Sequence, residues 1–158
     1  MAAPRVEIAL RVQFFDTDCG GVAHNLAYLR FVEAARTELL ERMGFPVLEM
    51  TETQCFPVIV RAEIAYRKAA RLGEELRVES ELVEMDRVRF VCGFAVKGRT
   101  NGELMAEGRH VLVWVQLPQG KAVPVPDAWR GKHPELVCAR VSGAQRRGWR
   151  PERDASRA

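Results

Sequence analysis

The 158-residue sequence predicts an α+β domain in which five antiparallel strands wrap around one long central helix. Three observations lead there. Apolar residues recur at three and four positions through one long early stretch; later stretches alternate apolar and polar residues; and short turn signals join those stretches as hairpins. A sheet with one apolar face needs cover, and a helix with a broad apolar stripe needs a surface to lie on. Each supplies what the other lacks.

The elements follow in order. Val6, Ile8, Leu10, Val12 and Phe14 share one face of a first strand, with Glu7, Arg11 and Gln13 on the other. A polar, glycine-containing segment, Asp16 to Asn25, ends that pattern. Leu29, Val32, Ala35, Leu39 and Met43, flanked by Tyr28, Phe31 and Leu40, then give a helix of about 17 residues. Arg30, Glu33, Arg36, Glu38, Glu41 and Arg42 fill its polar side, and Gly44 is the stop. A second strand is expected over Val58, Val60, Ala62, Ile64 and Tyr66, and a third over Leu76, Val78, Ser80 and Leu82. Val88 to Val96 forms the fourth and Leu104 to Val115 the fifth. Glu84-Met85-Asp86-Arg87 and the Asn101-Gly102 pair are the hairpin turns, Pro118 to Lys121 is another turn, and Val123 to Asp127 leads into a short helix.

Composition sets the class. With 47% hydrophobic and 28% charged residues the chain is an ordinary globular one, neither disordered nor fibrous. It has no apolar run long enough to span a membrane and no signal-peptide core near Met1, so the expected compartment is the cytoplasm. Cys19, Cys55, Cys92 and Cys138 are far apart, with no Cys-x-x-Cys pair or Cys/His cluster, so neither a metal nor a cofactor is expected and Cys92 reads as a core residue. Residues 1–130 are expected to form the domain and 131–158 a basic, partly disordered tail. From residue 129 onward, 8 Lys/Arg stand against 3 Asp/Glu. The tail lacks the interleaved aromatics of a single-strand binder, so no nucleic-acid partner is expected.

Chemistry concentrates in the segment before the helix. Asp16 and Asp18 would sit beside a helix N-terminus, where unpaired N–H groups and the dipole favour negative charge and can polarise a carbonyl. A carboxylate next to such donors is the minimum needed to hydrolyse an activated acyl bond. His24 and Asn25 stand where they could hydrogen-bond water or the acyl oxygen. The same residues also suit plain N-cap and turn chemistry, and the residues alone leave both readings open.

The run Phe15-Asp16-Thr17-Asp18-Cys19-Gly20-Gly21-Val22-Ala23-His24-Asn25-Leu26-Ala27-Tyr28-Leu29-Arg30-Phe31, continued in Glu33 to Glu38, resembles the hotdog-fold acyl-CoA thioesterases. It is most similar to the 4-hydroxybenzoyl-CoA thioesterase-like group, which includes the thioesterase encoded beside the Tol–Pal system. Ile64-Ala65-Tyr66-Arg67, Arg71 to Leu76, Asn101 to Leu104 and Val125-Pro126-Asp127 extend the resemblance over residues 5–128. It implies a hotdog fold, a homodimer or homotetramer, and an acyl-CoA substrate bound between subunits. It also implies that Asp18 is the catalytic acid, as nucleophile or general base, that Asp16 shapes the loop, and that the Asn25 N–H faces the thioester carbonyl. The Tol–Pal group carries His where Asn25 stands, whereas here His24 precedes it. Tyr28, Tyr66 and Arg67 are the expected substrate-binding residues, with Arg61, Lys68, Arg89 and Arg99 as further cations for the CoA phosphates. Glu33 is a lesser catalytic candidate, set against an ion pair with a helix neighbour. A hotdog dehydratase and a non-catalytic acyl-CoA-binding protein are the alternatives.

Overall fold

A computed structural model describes residues 3–141. Strand β1 (Arg5–Arg11) is followed by the long helix α1 (Asn25–Arg42) and a short helix α2 (Val47–Thr53). Strands β2 (Cys55–Tyr66), β3 (Glu75–Met85), β4 (Arg89–Gly98) and β5 (Leu104–Gln116) come next, then a two-residue strand β6 (Lys121–Ala122) and helix α3 (Asp127–Lys132). The sheet order is β1-β3-β4-β5-β2, antiparallel throughout, with β6 beside the end of β5. Helix α1 packs on β3, β1 and β4. This is the expected α+β hotdog arrangement, a curled sheet around one long helix.

Three local expectations need correction. The first strand stops at Arg11, and Phe14–Asp16 forms a 3₁₀ turn that leaves Phe14 81% exposed. The Asp16 carboxylate accepts from Gln13 N at 2.9 Å and closes that turn, so the apolar alternation runs past the strand that it predicts. On β2 the pairing register shifts between Ile59 and Arg61. Ile59 and Ala62 therefore lie opposite Leu112 and His110 on the inner face, while Val58 pairs with Val113 on the outer one. Arg36, assigned to the polar side of the helix, is instead buried.

Arg36 belongs to a polar layer that divides the core. On one side Val32, Ala35, Val78, Phe94, Val96 and Ala106 pack beneath the N-terminal half of α1. On the other, Leu39, Leu82, Phe90, Leu112, Trp114 and Trp129 form a second cluster, in which Phe45, Phe90, Trp114 and Trp129 meet ring to ring. Between them lie Arg36, Ser80 and His110, all buried. Arg36 Nη1 reaches His110 Nδ1 at 2.8 Å, and its Nη2 binds the Glu33 carboxylate at the surface. That ion pair is the plain helix role considered for Glu33. Cys92, beside this layer, is a buried core thiol whose pKa burial pushes up to about 12.

The boundary expected at residue 130 falls inside α3. Beyond it the chain stays on the sheet: Cys138 N donates to Met85 O at 2.8 Å, and Val141 packs against Val91 and Val111. The Asp86 carboxylate accepts from Val141 N at 3.3 Å. Apolar contact and paired backbone hold this stretch where charge counting alone placed a solvated tail. The rest of the expected tail, residues 142–158, lies outside the described residues.

Candidate active site

The segment from Thr17 to Ala23 folds back on itself. Asp18 N donates to Val22 O and Gly21 N to Asp18 O, both at 3.0 Å, and Gly21 takes a φ of 69° that favours glycine. The loop is tied to the segment after β2 by Ala23 N to Ala70 O at 2.8 Å and Leu72 N to Gly21 O at 3.1 Å. Its two acids then part. Asp16 is buried and receives Arg30 through Nε at 2.9 Å and Nη2 at 2.6 and 2.7 Å. Asp18 is exposed, and its Oδ1 accepts from Gly20 N at 2.8 Å.

His24 is the N-cap of α1. Its Nδ1 accepts from Ala27 N at 3.1 Å, which leaves the proton on Nε2 and turns that face of the ring to the helix. The next N–H groups, on Asn25 and Leu26, stand in the first turn and have no acceptor inside the helix. Tyr28 is buried. Its hydroxyl accepts from Ala70 N at 2.9 Å and donates to Lys68 O at 3.3 Å, and burial raises its pKa. Tyr66 meets the Tyr28 ring edge-on at 5.4 Å and donates its hydroxyl to Asn25 O at 3.3 Å.

These residues surround a cleft of about 260 Å³ lined by Asp18, Val22, Ala23, Asn25, Tyr28, Tyr66, Arg67, Lys68 and Ala69. Five of the six expected site residues line it together. His24 does not, and serves the helix beneath. Arg67 lines the cleft but its guanidinium grips Glu107, at 3.1 Å from Nε and 2.8 Å from Nη2, so it enters already paired. Sequence reasoning passed over the Asp16–Arg30 pair and the backbone of Lys68 and Ala70 that anchors Tyr28. Arg30 looked like any helix-surface cation, and backbone partners leave no mark in a side-chain pattern.

A family model described as the thioesterase-like superfamily matches residues 12–133, most of the chain and the whole of this cleft. The chain belongs to the thioesterase-like superfamily. It is a hotdog thioesterase, a thioester hydrolase by family. The 1,4-dihydroxy-2-naphthoyl-CoA hydrolase of Thermosynechococcus vestitus is 30% identical over 133 residues, 82% of this chain and 90% of that one. The acyl-CoA thioesterase YbgC of Haemophilus influenzae is 40% identical over 77 residues, 48% of this chain and 57% of that one. Among solved structures, the 1,4-dihydroxy-2-naphthoyl-CoA thioesterase of Synechocystis superposes with a TM-score of 0.74 at 22% identity, covering 84% of this chain and 97% of that one. That last likeness speaks to the fold.

Proposed function

We propose that this thioesterase hydrolyses an acyl- or aroyl-CoA thioester to the free acid and CoA at the Asp18 cleft. The observation that carries this reading is the meeting of one exposed carboxylate, without an ion pair among the described residues, with the first turn of α1 in a single cleft. The Asn25 N–H polarises the thioester oxygen. Asp18 either attacks the carbonyl carbon, giving an anhydride that water then opens, or takes a proton from a water that attacks in its place. In both courses the C–S bond breaks, the thiolate leaves and is protonated, and the acyl group departs as carboxylate. Thiolate is a good leaving group, which eases the need for a strong general acid. His24 acts as a positioning residue, fixing the turn that presents Asn25. Tyr66 and Tyr28 wall the acyl side, and Lys68 with Arg67 faces the phosphates of CoA.

The expected partner is a second copy of the chain. Strand β2 is an open edge of the sheet, and Val58, Ile59 and Val60 are exposed along it. Pairing two such edges makes a dimer, and two dimers a homotetramer. No helix among the described residues is long and apolar enough to cross a membrane. A cytoplasmic setting, where CoA thioesters are made and used, goes with the reading.

The test is release of CoA thiol from aromatic, short-chain and long-chain acyl-CoAs by wild type and Asp18→Asn. Asp18→Asn is expected to lose about a hundredfold in rate, roughly 2.7 kcal/mol of transition-state stabilisation, with its oligomeric state unchanged. Full activity in that variant removes Asp18 from the mechanism. An enoyl product with CoA still attached points instead to a dehydratase, and protection of acyl-CoA without turnover to a binding protein.

A further inference from the structure

A second cavity lies at the other end of α1, against the second core cluster. It encloses about 210 Å³, small for a drug-sized ligand, between the last turn of α1, the start of β1 and the end of α3. Its floor is apolar: Leu39, Met43 and the indole of Trp129. That floor is rigid, because Trp129 Nε1 donates to Met43 O at 3.1 Å and its ring sits among Phe45, Phe90 and Trp114. The walls are cationic. Arg5, Arg42 and Lys132 supply the charge, His133 and Pro4 complete the lining, and no acidic side chain lines it.

The charges here are unevenly committed. Arg5 binds Glu79, and Arg42 Nε reaches Glu38 at 2.8 Å with both side chains well exposed. Lys132 has no ion-pair or hydrogen-bond partner among the described residues. The His133 Nδ1 is buried without a hydrogen bond, 3.4 Å from Glu135 Oε1. The carbonyls at the end of α1 would ordinarily repel an anion. Here Leu39, Leu40 and Glu41 accept from Met43, Gly44 and Phe45, and Met43 O is taken by Trp129, so that end is largely satisfied.

An apolar floor beneath one unpaired lysine and an arginine held only by an exposed surface ion pair fits a molecule with an apolar body and one anionic head. We propose that this cavity is a binding site for a small organic carboxylate, whose apolar body lies on Leu39, Met43 and Trp129 while its carboxylate meets Lys132 and Arg42. The site is separate from the Asp18 cleft and does not depend on the mechanism assigned there.

The experiment titrates the ¹⁵N-labelled full chain with sodium octanoate and with sodium benzoate, following the indole N–H signals of the three tryptophans. Inorganic phosphate serves as an anion without an apolar body. The expected result is a saturable shift of the Trp129 indole signal with one or both carboxylates, and none with phosphate. Lys132→Gln is expected to weaken that binding about tenfold, the loss of one charge-assisted contact, and Arg42→Gln to do likewise. Both residues are exposed at helix ends, so the fold survives either change. Asp18→Asn is expected to bind with unchanged affinity. The proposal is overturned by absence of a saturable Trp129 shift, by unchanged affinity in the Lys132→Gln, Arg42→Gln double variant, by displacement of the carboxylates by phosphate, or by loss of binding in Asp18→Asn, which would move the ligand to the cleft.

Discussion

Two acids two residues apart meet opposite surroundings. Asp16 is sealed under Arg30 and serves the turn, whereas Asp18 faces the cleft with one backbone donor. The order of the pair decides the roles, since the residue nearer the strand is the one α1 can reach with Arg30. A buried base also sets the response to acid. His110 faces Arg36 and, through it, Glu33 from α1, and lies one strand from Cys92; burial, with the Arg36 charge second, lowers its pKa to about 4. The unfolded chain takes that proton near an ordinary histidine pKa, the folded chain only well below it. Its contribution to stability is therefore complete above about pH 6.5 and is lost as pH falls toward 4, a change of about 3 kcal/mol. Urea unfolding between pH 7.5 and 4 measures it. A stability constant across pH 6.5 to 4.5 would show that His110 is protonated in the folded protein.

At the scale of elements, β5 and β2 approach more closely than side chains normally permit. A Cβ on Gly108 would lie 2.0 Å from the Glu63 carbonyl oxygen and 2.7 Å from Phe94 Cζ. Gly108→Ala must push β2 off β5 or displace Phe94, and is expected to cost on the order of 2–3 kcal/mol, read as a fall in the midpoint of chemical unfolding. Because β2 carries Tyr66, the variant should also raise KM for acyl-CoA. A change below about 0.5 kcal/mol would mean that the strands separate freely here. The elements themselves were largely legible: periodicity located α1 and the four later strands, and Asn101-Gly102 marked its turn. Helix α2 was not, because Val47 to Thr53 is too short to show a period. The bulge in β2 was hidden too, since Val58 to Tyr66 alternates in sequence straight through the register shift that reverses its faces. The loop residues of the cleft were legible through the Asp16–Tyr28 run. The contacts that hold them, Tyr28 to Ala70 and Tyr66 to Asn25, join residues about forty positions apart and leave no local signal.

At the scale of the whole molecule, two exposed apolar sites stand out among the described residues, one on the β2 edge of the sheet and one on the first turn of α1. Val60 is 57% exposed on β2, while Leu26 is 71% exposed beside the cleft mouth. An assembly that pairs β2 edges covers the first and brings a second copy toward the second. Val60→Lys is expected to shift sedimentation from dimer or tetramer toward monomer and to lower turnover with it, and a wild type that sediments as a fully active monomer would sink the proposed assembly. The division of the core has a historical consequence. The half beneath the cleft, around Phe31, Phe94 and Ala106, is separated by Arg36, Ser80 and His110 from the tryptophan-rich half. Repacking on one side of that boundary need not be answered on the other. A lineage can thus resculpt the room offered to an acyl group, one substitution at a time, while the far end keeps the chain folded and its descendants viable.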